Sequence, residues 1–210
     1  MLQLNSALVS IAAEFCGKYS PYQAIEISPA PGGGAYVSST DGGRVVCIAH
    51  DPGGRCDEVT RLLPDSDLLR LCRGIKTAER ELKVDGNNAI VTTFRKTTSE
   101  KKEFTVTHSI SESPPLAKAL QACLDRWSTT PKLSETAGRY EAAYVDKALK
   151  GLSQADGSVV MSAFDGGPMR IQTDVGNIII LVMPQTAEPI PTIPDWLSKY
   201  ATGYQLVAKA

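Results

Sequence analysis

One supersecondary unit occurs twice in this chain, and that repetition limits its architecture more than any other feature. A helical stretch followed by three short strands spans Asp65–Ser109 and again Ala142–Met183. In the first copy, Pro64-Asp65-Ser66-Asp67 has the composition of a helix start, with proline near the first turn and acids at the positive end of the dipole. Leu68, Leu69, Leu71, Cys72 and Ile75 supply its apolar face. Strands follow at Glu79–Val84, Ala89–Arg95 and Glu103–Ser109, with turns at Asp85-Gly86-Asn87 and Thr98–Lys102. In the second copy, Tyr144, Ala148, Leu149 and Leu152 mark the helix, closed by Gly151 or by the turn near Asp156-Gly157. Its strands read as Ser158–Ala163, Pro168–Thr173 and Ile178–Met183, with turns at Asp165-Gly166-Gly167 and Asp174–Asn177. A unit of this kind has one apolar helix stripe and one apolar sheet face, and must bury both against a neighbour. The repeat therefore predicts an α+β fold of helix-plus-antiparallel-sheet half-modules whose sheets continue from unit to unit.

Each copy has a helical partner earlier in the chain. Leu4, Leu8, Ile11 and Phe15 recur at helical spacing, with Asn5 and Ser6 as cap residues and Gly17 as the stop. A strand at Ala24–Ser28 and a hairpin of Ala35–Ser39 with Arg44–Ala49 around Asp41-Gly42-Gly43 follow, then an extended Glu58–Leu63. After a linker at Ser111–Pro115, Leu116, Leu120, Cys123, Leu124 and Trp127 carry another helix, and Arg139–Glu141 reads as a short strand. The expected division is residues 1–110, residues 111–186 and a tail, 187–210, in which Pro189, Pro191 and Pro194 precede Trp196, Leu197, Tyr200 and Tyr204.

Charge narrows the function. The 210 residues carry 22 basic and 23 acidic side chains, a net charge of -1, so any grip on nucleic acid must come from a local cluster rather than from bulk charge. No apolar run is long enough to span a bilayer, and the Met1–Phe15 stretch lacks a basic leader and contains Glu14. Five cysteines without a regular framework point to a reduced, cytoplasmic setting.

Two stretches resemble the bacterial DNA polymerase sliding clamp. The order of opening helix, a strand like Ala24–Ser28, a hairpin ending in Ser39-Thr40-Asp41 and an extended strand is similar to the start of a clamp domain. Leu63-Pro64-Asp65-Ser66-Asp67-Leu68-Leu69-Arg70-Leu71-Cys72-Arg73-Gly74 resembles the second helix of such a domain. Tyr144-Val145-Asp146-Lys147-Ala148-Leu149-Lys150-Gly151-Leu152 resembles the helix of the last clamp domain, and Ile180-Leu181-Val182-Met183-Pro184 its Val-Met-Pro end. The resemblance implies a DNA-clamp-like fold and a non-enzymatic, cofactor-free processivity factor. Such a protein would be a homo-oligomer that holds duplex DNA through phosphates and binds DNA polymerase and clamp-loader-type proteins. It also implies that the DNA-facing cations are Arg70, Arg73, Lys118, Arg126, Lys147 and Lys150. Pro168, Met169, Leu181, Met183 and Pro184 would line a cleft for partner peptides. The chain departs from the family in length, in the short Ser128–Gly138 interval between its last two helices and in its added tail. These departures fit either a two-domain clamp that needs about three subunits to enclose a duplex, or a clamp-fold interaction or structural oligomer without DNA binding.

Other signals are weaker. Cys47-x-x-His50 with Asp51 and Cys56 lacks a second cysteine pair, and Cys47 and His50 would point to opposite faces of a strand. Cys16, Cys72 and Cys123 fall on apolar helix faces. Gly32-Gly33-Gly34 lacks the Lys-Ser/Thr of a phosphate loop, and His108 is read on a polar alternating strand. No cluster supports catalysis or a resident metal.

Overall fold

The structure, a computed structural model, describes residues 1–98, 100–112, 116, 120, 136–155, 157–162, 167–189, 192, 194 and 197. Strand β1 (Leu2–Asn5) runs directly into helix α1 (Ser6–Ala13). Asn5 makes the junction: its side chain accepts from the Ala7 N–H at 3.0 Å, capping the helix, while its own N–H donates to Asp51 Oδ2 at 2.6 Å. Strands β2 (Ile25–Pro29), β3 (Ala35–Thr40) and β4 (Val45–Asp51) form a meander, followed by short β5 (Arg55–Cys56) and β6 (Thr60–Leu62). Helix α2 (Ser66–Cys72) is capped by Asp65, which accepts from the N–H groups of Asp67 and Leu68. It leads into the meander β7 (Ala78–Asp85), β8 (Asn88–Arg95) and β9 (Lys101–Thr107). The last unit is β10 (Thr136–Arg139), helix α3 (Ala142–Leu152), the meander β11 (Val159–Ser162), β12 (Met169–Thr173) and β13 (Ile178–Val182), and β14 (Thr186–Pro189).

The leading strands are exchanged between halves. β1, which precedes α1, pairs with β7 in the sheet β5-β1-β7-β8-β9, with Leu4 opposite Leu82. β6, which precedes α2, pairs with β2 in the sheet β11-β12-β13-β4-β3-β2-β6. Each half thus depends on the other for an outer strand. The third unit extends the larger sheet through β13 on β4, with Ile180 opposite Cys47. Its β10 stays apart and pairs with β14, Arg139 opposite Thr186.

The inner faces of the two larger sheets and the three helices among the described residues share one core. Leu8, Ile11 and Phe15 lie beside Leu68 and Cys72 of α2, Ala148 and Leu152 of α3, and Ile27, Val37, Cys47, Leu82, Val91 and Ile180 of the strands. Helix α1 is enclosed on nearly every side. Its serines fit there because each has a partner. Ser6 Oγ donates to the Cys72 carbonyl at 3.1 Å, and Ser10 Oγ to Gln154 Oε1 at 2.9 Å.

The repeated helix-plus-meander is present at both expected places, and the α+β clamp-like architecture is the observed one. Several sequence expectations are corrected. Leu4 belongs to a strand rather than to the opening helix. Ile75 lies beyond α2, in a bridge to Ala78, and is exposed. The short strand expected at Arg139–Glu141 is Thr136–Arg139. Gly151 does not close α3; it lies inside the helix, where its missing side chain admits the Phe15 ring. His108 is buried, with Nε2 against the Gly86 carbonyl at 3.0 Å. Of the helix expected over Leu116–Trp127 only Leu116 and Leu120 are among the described residues; the Asp165-Gly166 turn and most of the tail fall outside them.

Candidate nucleic-acid and partner interfaces

The helices that would meet DNA carry few cations, and most of these are engaged. α1 has no charged residue and no exposed side chain. On α2, Arg70 is exposed and sits 3.4 Å from Asp67, one turn earlier. On α3, Lys150 lies 2.6 Å from Asp146, and Lys147 donates to the Glu14 carbonyl at 3.0 Å. Arg73, at the end of α2, is exposed and makes no ion pair among the described residues; its carbonyl accepts from Arg80 Nη1 at 2.9 Å. Lys118 and Arg126 lie outside the described residues. Exposed ion pairs of this type are weak, each worth well under about 1 kcal/mol, so phosphates could displace the acids. They nevertheless lower the local positive potential.

The ends of α2 and α3 meet over the start of α1. A Cβ on Gly74 would lie 2.6 Å from the Gln154 carbonyl and 3.2 Å from the Ala7 Cβ, so the contact requires glycine. Beside it opens a cleft of about 480 Å³ lined by residues such as Asn5, Asp51, Glu79, Arg80, Phe94 and Gln154. Its mixture of acids and bases favours no one ligand charge.

The five residues assigned to a peptide cleft do not share a surface. Met169 faces the main core with Val182, its partner across β12 and β13. Leu181 and Met183 face the other side of the sheet, where Leu181 packs with Val46 and is 2% exposed. Leu120, Ile48 and Ile179 complete that outer cluster, so the chain itself occupies the face. Pro168 is buried before β12, and Pro184 is half-buried after β13. Leu116 reinforces the cover: its N–H donates to Glu26 Oε2 at 3.1 Å, and the same oxygen accepts from Arg61 Nε at 2.9 Å. Sequence reasoning had no signal for this anchor, because Glu26, Arg61 and Leu116 come together only in the fold.

The turn of the first hairpin binds the third unit. Asp41 Oδ1 accepts from the N–H groups of Gly43, Arg44 and Val45, and Oδ2 from the Tyr144 hydroxyl at 2.7 Å. Partial burial alone would raise the Asp41 pKa; the Tyr144 hydroxyl and the three backbone donors outweigh it and hold the carboxyl below its usual range. Gly42 has a φ of +101°, and a Cβ there would strike the Tyr22 ring.

Thiol chemistry has no support among the described cysteines. Burial pushes the Cys16 and Cys72 thiols up to about 12, and Cys47 is raised as well. Cys47 faces the core, whereas His50 lies on the opposite face against Tyr36, with Nε2 3.1 Å from the Gly33 carbonyl. Among the described residues no three His, Cys, Asp or Glu side chains are grouped to hold a metal, and no helix is long and apolar enough to cross a membrane.

Exchanged leading strands and paired helix-plus-meander halves define this chain as a clamp-fold α+β protein. It is similar to the β subunit of DNA polymerase III from Thermotoga maritima, with a TM-score of 0.54 and 10% identity over 94% of this chain and 66% of that one. The β subunit from Pseudomonas aeruginosa gives a TM-score of 0.48 and 12% identity, over 94% of this chain and 67% of that one. No family model and no curated protein matches the sequence. The chain therefore spans about two thirds of the length of the Thermotoga maritima protein, and the likeness to it is one of fold.

Proposed function

We propose that this chain is a sliding-clamp-like processivity factor: a non-enzymatic, cytoplasmic homo-oligomer that holds duplex DNA without reading its sequence and tethers a DNA polymerase. The observation that carries the reading is the strand exchange that welds two helix-plus-meander halves together, with a third meander continuing the sheet through β13 on β4. Such continuity is what allows sheets to run around the outside of an assembly while helices face inward. In this reading residues 1–110 form one full clamp unit and residues 111–186 a shortened second. Arg70, Arg73, Lys118, Arg126, Lys147 and Lys150 meet phosphates. Leu181, Met183 and Pro184 become available to a partner peptide only if the segment bearing Leu120 moves away.

The pairing of Arg70 with Asp67 and Lys150 with Asp146 favours a second reading, a clamp-fold interaction or structural oligomer that does not bind DNA. One experiment separates the two. The full chain is loaded onto nicked circular plasmid and onto the same plasmid linearised, and solution mass is measured by light scattering. Retention on the circle with loss from linear ends, and a closed oligomer, is the expected result. A monomer or dimer that is retained on neither DNA would leave only the second reading.

A further inference from the structure

The face that would receive a partner peptide is already occupied, by this chain itself. Val46 of β4 and Leu181 of β13 centre a cluster on the outer side of the larger sheet, apart from the main core. Ile48, Ile179 and Met183 pack around them from the same two strands and the end of β13. Leu120 packs on the same cluster from a distant part of the chain. A small cluster of this kind, on the far side of the sheet from the main core, can lose its cover without opening that core, so the cover is a local unit of stability.

Two kinds of contact hold that cover. As far as Ser111 the chain is sewn to the end of β6 by backbone bonds: the Leu63 N–H donates to the Ser109 carbonyl at 3.0 Å, and the Ser111 N–H to the Arg61 carbonyl at 2.8 Å. At Leu116 the bond is to a side chain. The Leu116 N–H donates to Glu26 Oε2 at 3.1 Å, the oxygen that also accepts from Arg61 Nε at 2.9 Å. Glu26 and Arg61 are cross-strand partners on β2 and β6, and Glu26 is 7% exposed. One helical turn further, the Leu120 N–H donates to the Leu116 carbonyl at 3.0 Å, and the Leu120 side chain packs on the Val46–Leu181 cluster. A charge-assisted bond from a backbone N–H, with a leucine one turn later in an apolar groove, is how a helical peptide docks on a partner. A second chain offering the same pair of groups competes for the same two seats.

We propose that Leu116 and Leu120 act as an intramolecular ligand of the partner cleft, latched by Glu26, and that a partner enters by displacing them with a leucine-bearing helical turn of its own. Arg61 is a positioning residue for this latch, because it fixes the carboxylate oxygen that receives the Leu116 N–H. This regulation rests on the partner-peptide reading of the face and not on DNA binding.

The probe is a fluorescein-labelled peptide with the sequence of residues 114–122, added to the full chain and to its Leu120→Asp variant with neither DNA nor polymerase present. The peptide should bind the variant, whose cleft is vacated, about tenfold tighter than the parent, and a peptide carrying the same Leu120→Asp change should bind neither. Amide hydrogen exchange is followed in parallel in the Glu26→Leu, Arg61→Leu double variant, which removes the latch without stranding one charge. The Leu120 amide should exchange about tenfold faster there, while the Leu82 and Ile180 amides keep their rates. Equal peptide affinity for parent and variant, or an unchanged Leu120 amide, overturns the proposal. A peptide that binds the variant tightly while no polymerase binds either protein would sink the tethering reading and support the intramolecular ligand.

Discussion

Asp41 shows how one side chain can tie remote parts of the chain together. Its carboxylate receives three backbone N–H groups from its own turn and the hydroxyl of Tyr144, 103 residues away. Tyr144→Phe removes the long-range bond alone and should lower stability by about 1 kcal/mol in urea unfolding. The pH dependence follows from the sign of the Asp41 shift. Its folded pKa is depressed below the ordinary 3.8, so the unfolded chain binds a proton more readily. The stabilisation is complete above that ordinary value and is lost as pH falls through the folded one. Asp41→Asn should therefore flatten the loss of stability below about pH 4 relative to the parent protein. The thiols give a separate test. With Cys16 and Cys72 pushed up to about 12, neither should be alkylated by iodoacetamide at pH 8 until denaturant is added. Rapid labelling of either in the native protein would mean that the core around α1 opens.

At the scale of elements, the close meeting of α2, α3 and α1 depends on Gly74. Gly74→Ala places a methyl group 2.6 Å from a backbone carbonyl, which a side-chain rotation cannot relieve. We expect a cost of about 1–3 kcal/mol from overpacking, read as a lower Tm. Gly32→Ala is the control: nothing lies within 4 Å of its Cβ, and its effect should stay within about 0.5 kcal/mol. The helices themselves were legible because their apolar positions recur at helical spacing and Asp65 and Asn5 are recognisable caps. β1 was not legible, since Leu4 serves the helical period of Leu8 and Ile11 equally well. Only pairing with β7 and β5 makes it a strand. β5 is two residues long and has no alternation to announce it, and β10 is expected only with shifted bounds.

For the whole molecule, the decisive quantity is how much positive potential the helix side retains. Substituting Arg73→Gln and Lys147→Gln together should flatten the dependence of log K on log salt by about 2 if both meet phosphates. An unchanged slope, measured by fluorescence anisotropy on a duplex of random sequence, would overturn their proposed contact with phosphates. The sequence by itself determined the repeating helix-plus-meander units and their clamp-like order, because period and turn chemistry are local properties that a chain carries in its residues. The tertiary structure alone decided which strand joins which sheet and which face each residue of β12 and β13 presents. The acids beside Arg70 and Lys150 follow from i,i+3 and i,i+4 spacing on their own helices, whereas only the fold brought Leu120 over Leu181. A strand's partners are set by long-range pairing, and a one-residue change of register sends every side chain to the opposite face, so no local pattern could have fixed the surfaces on which function depends.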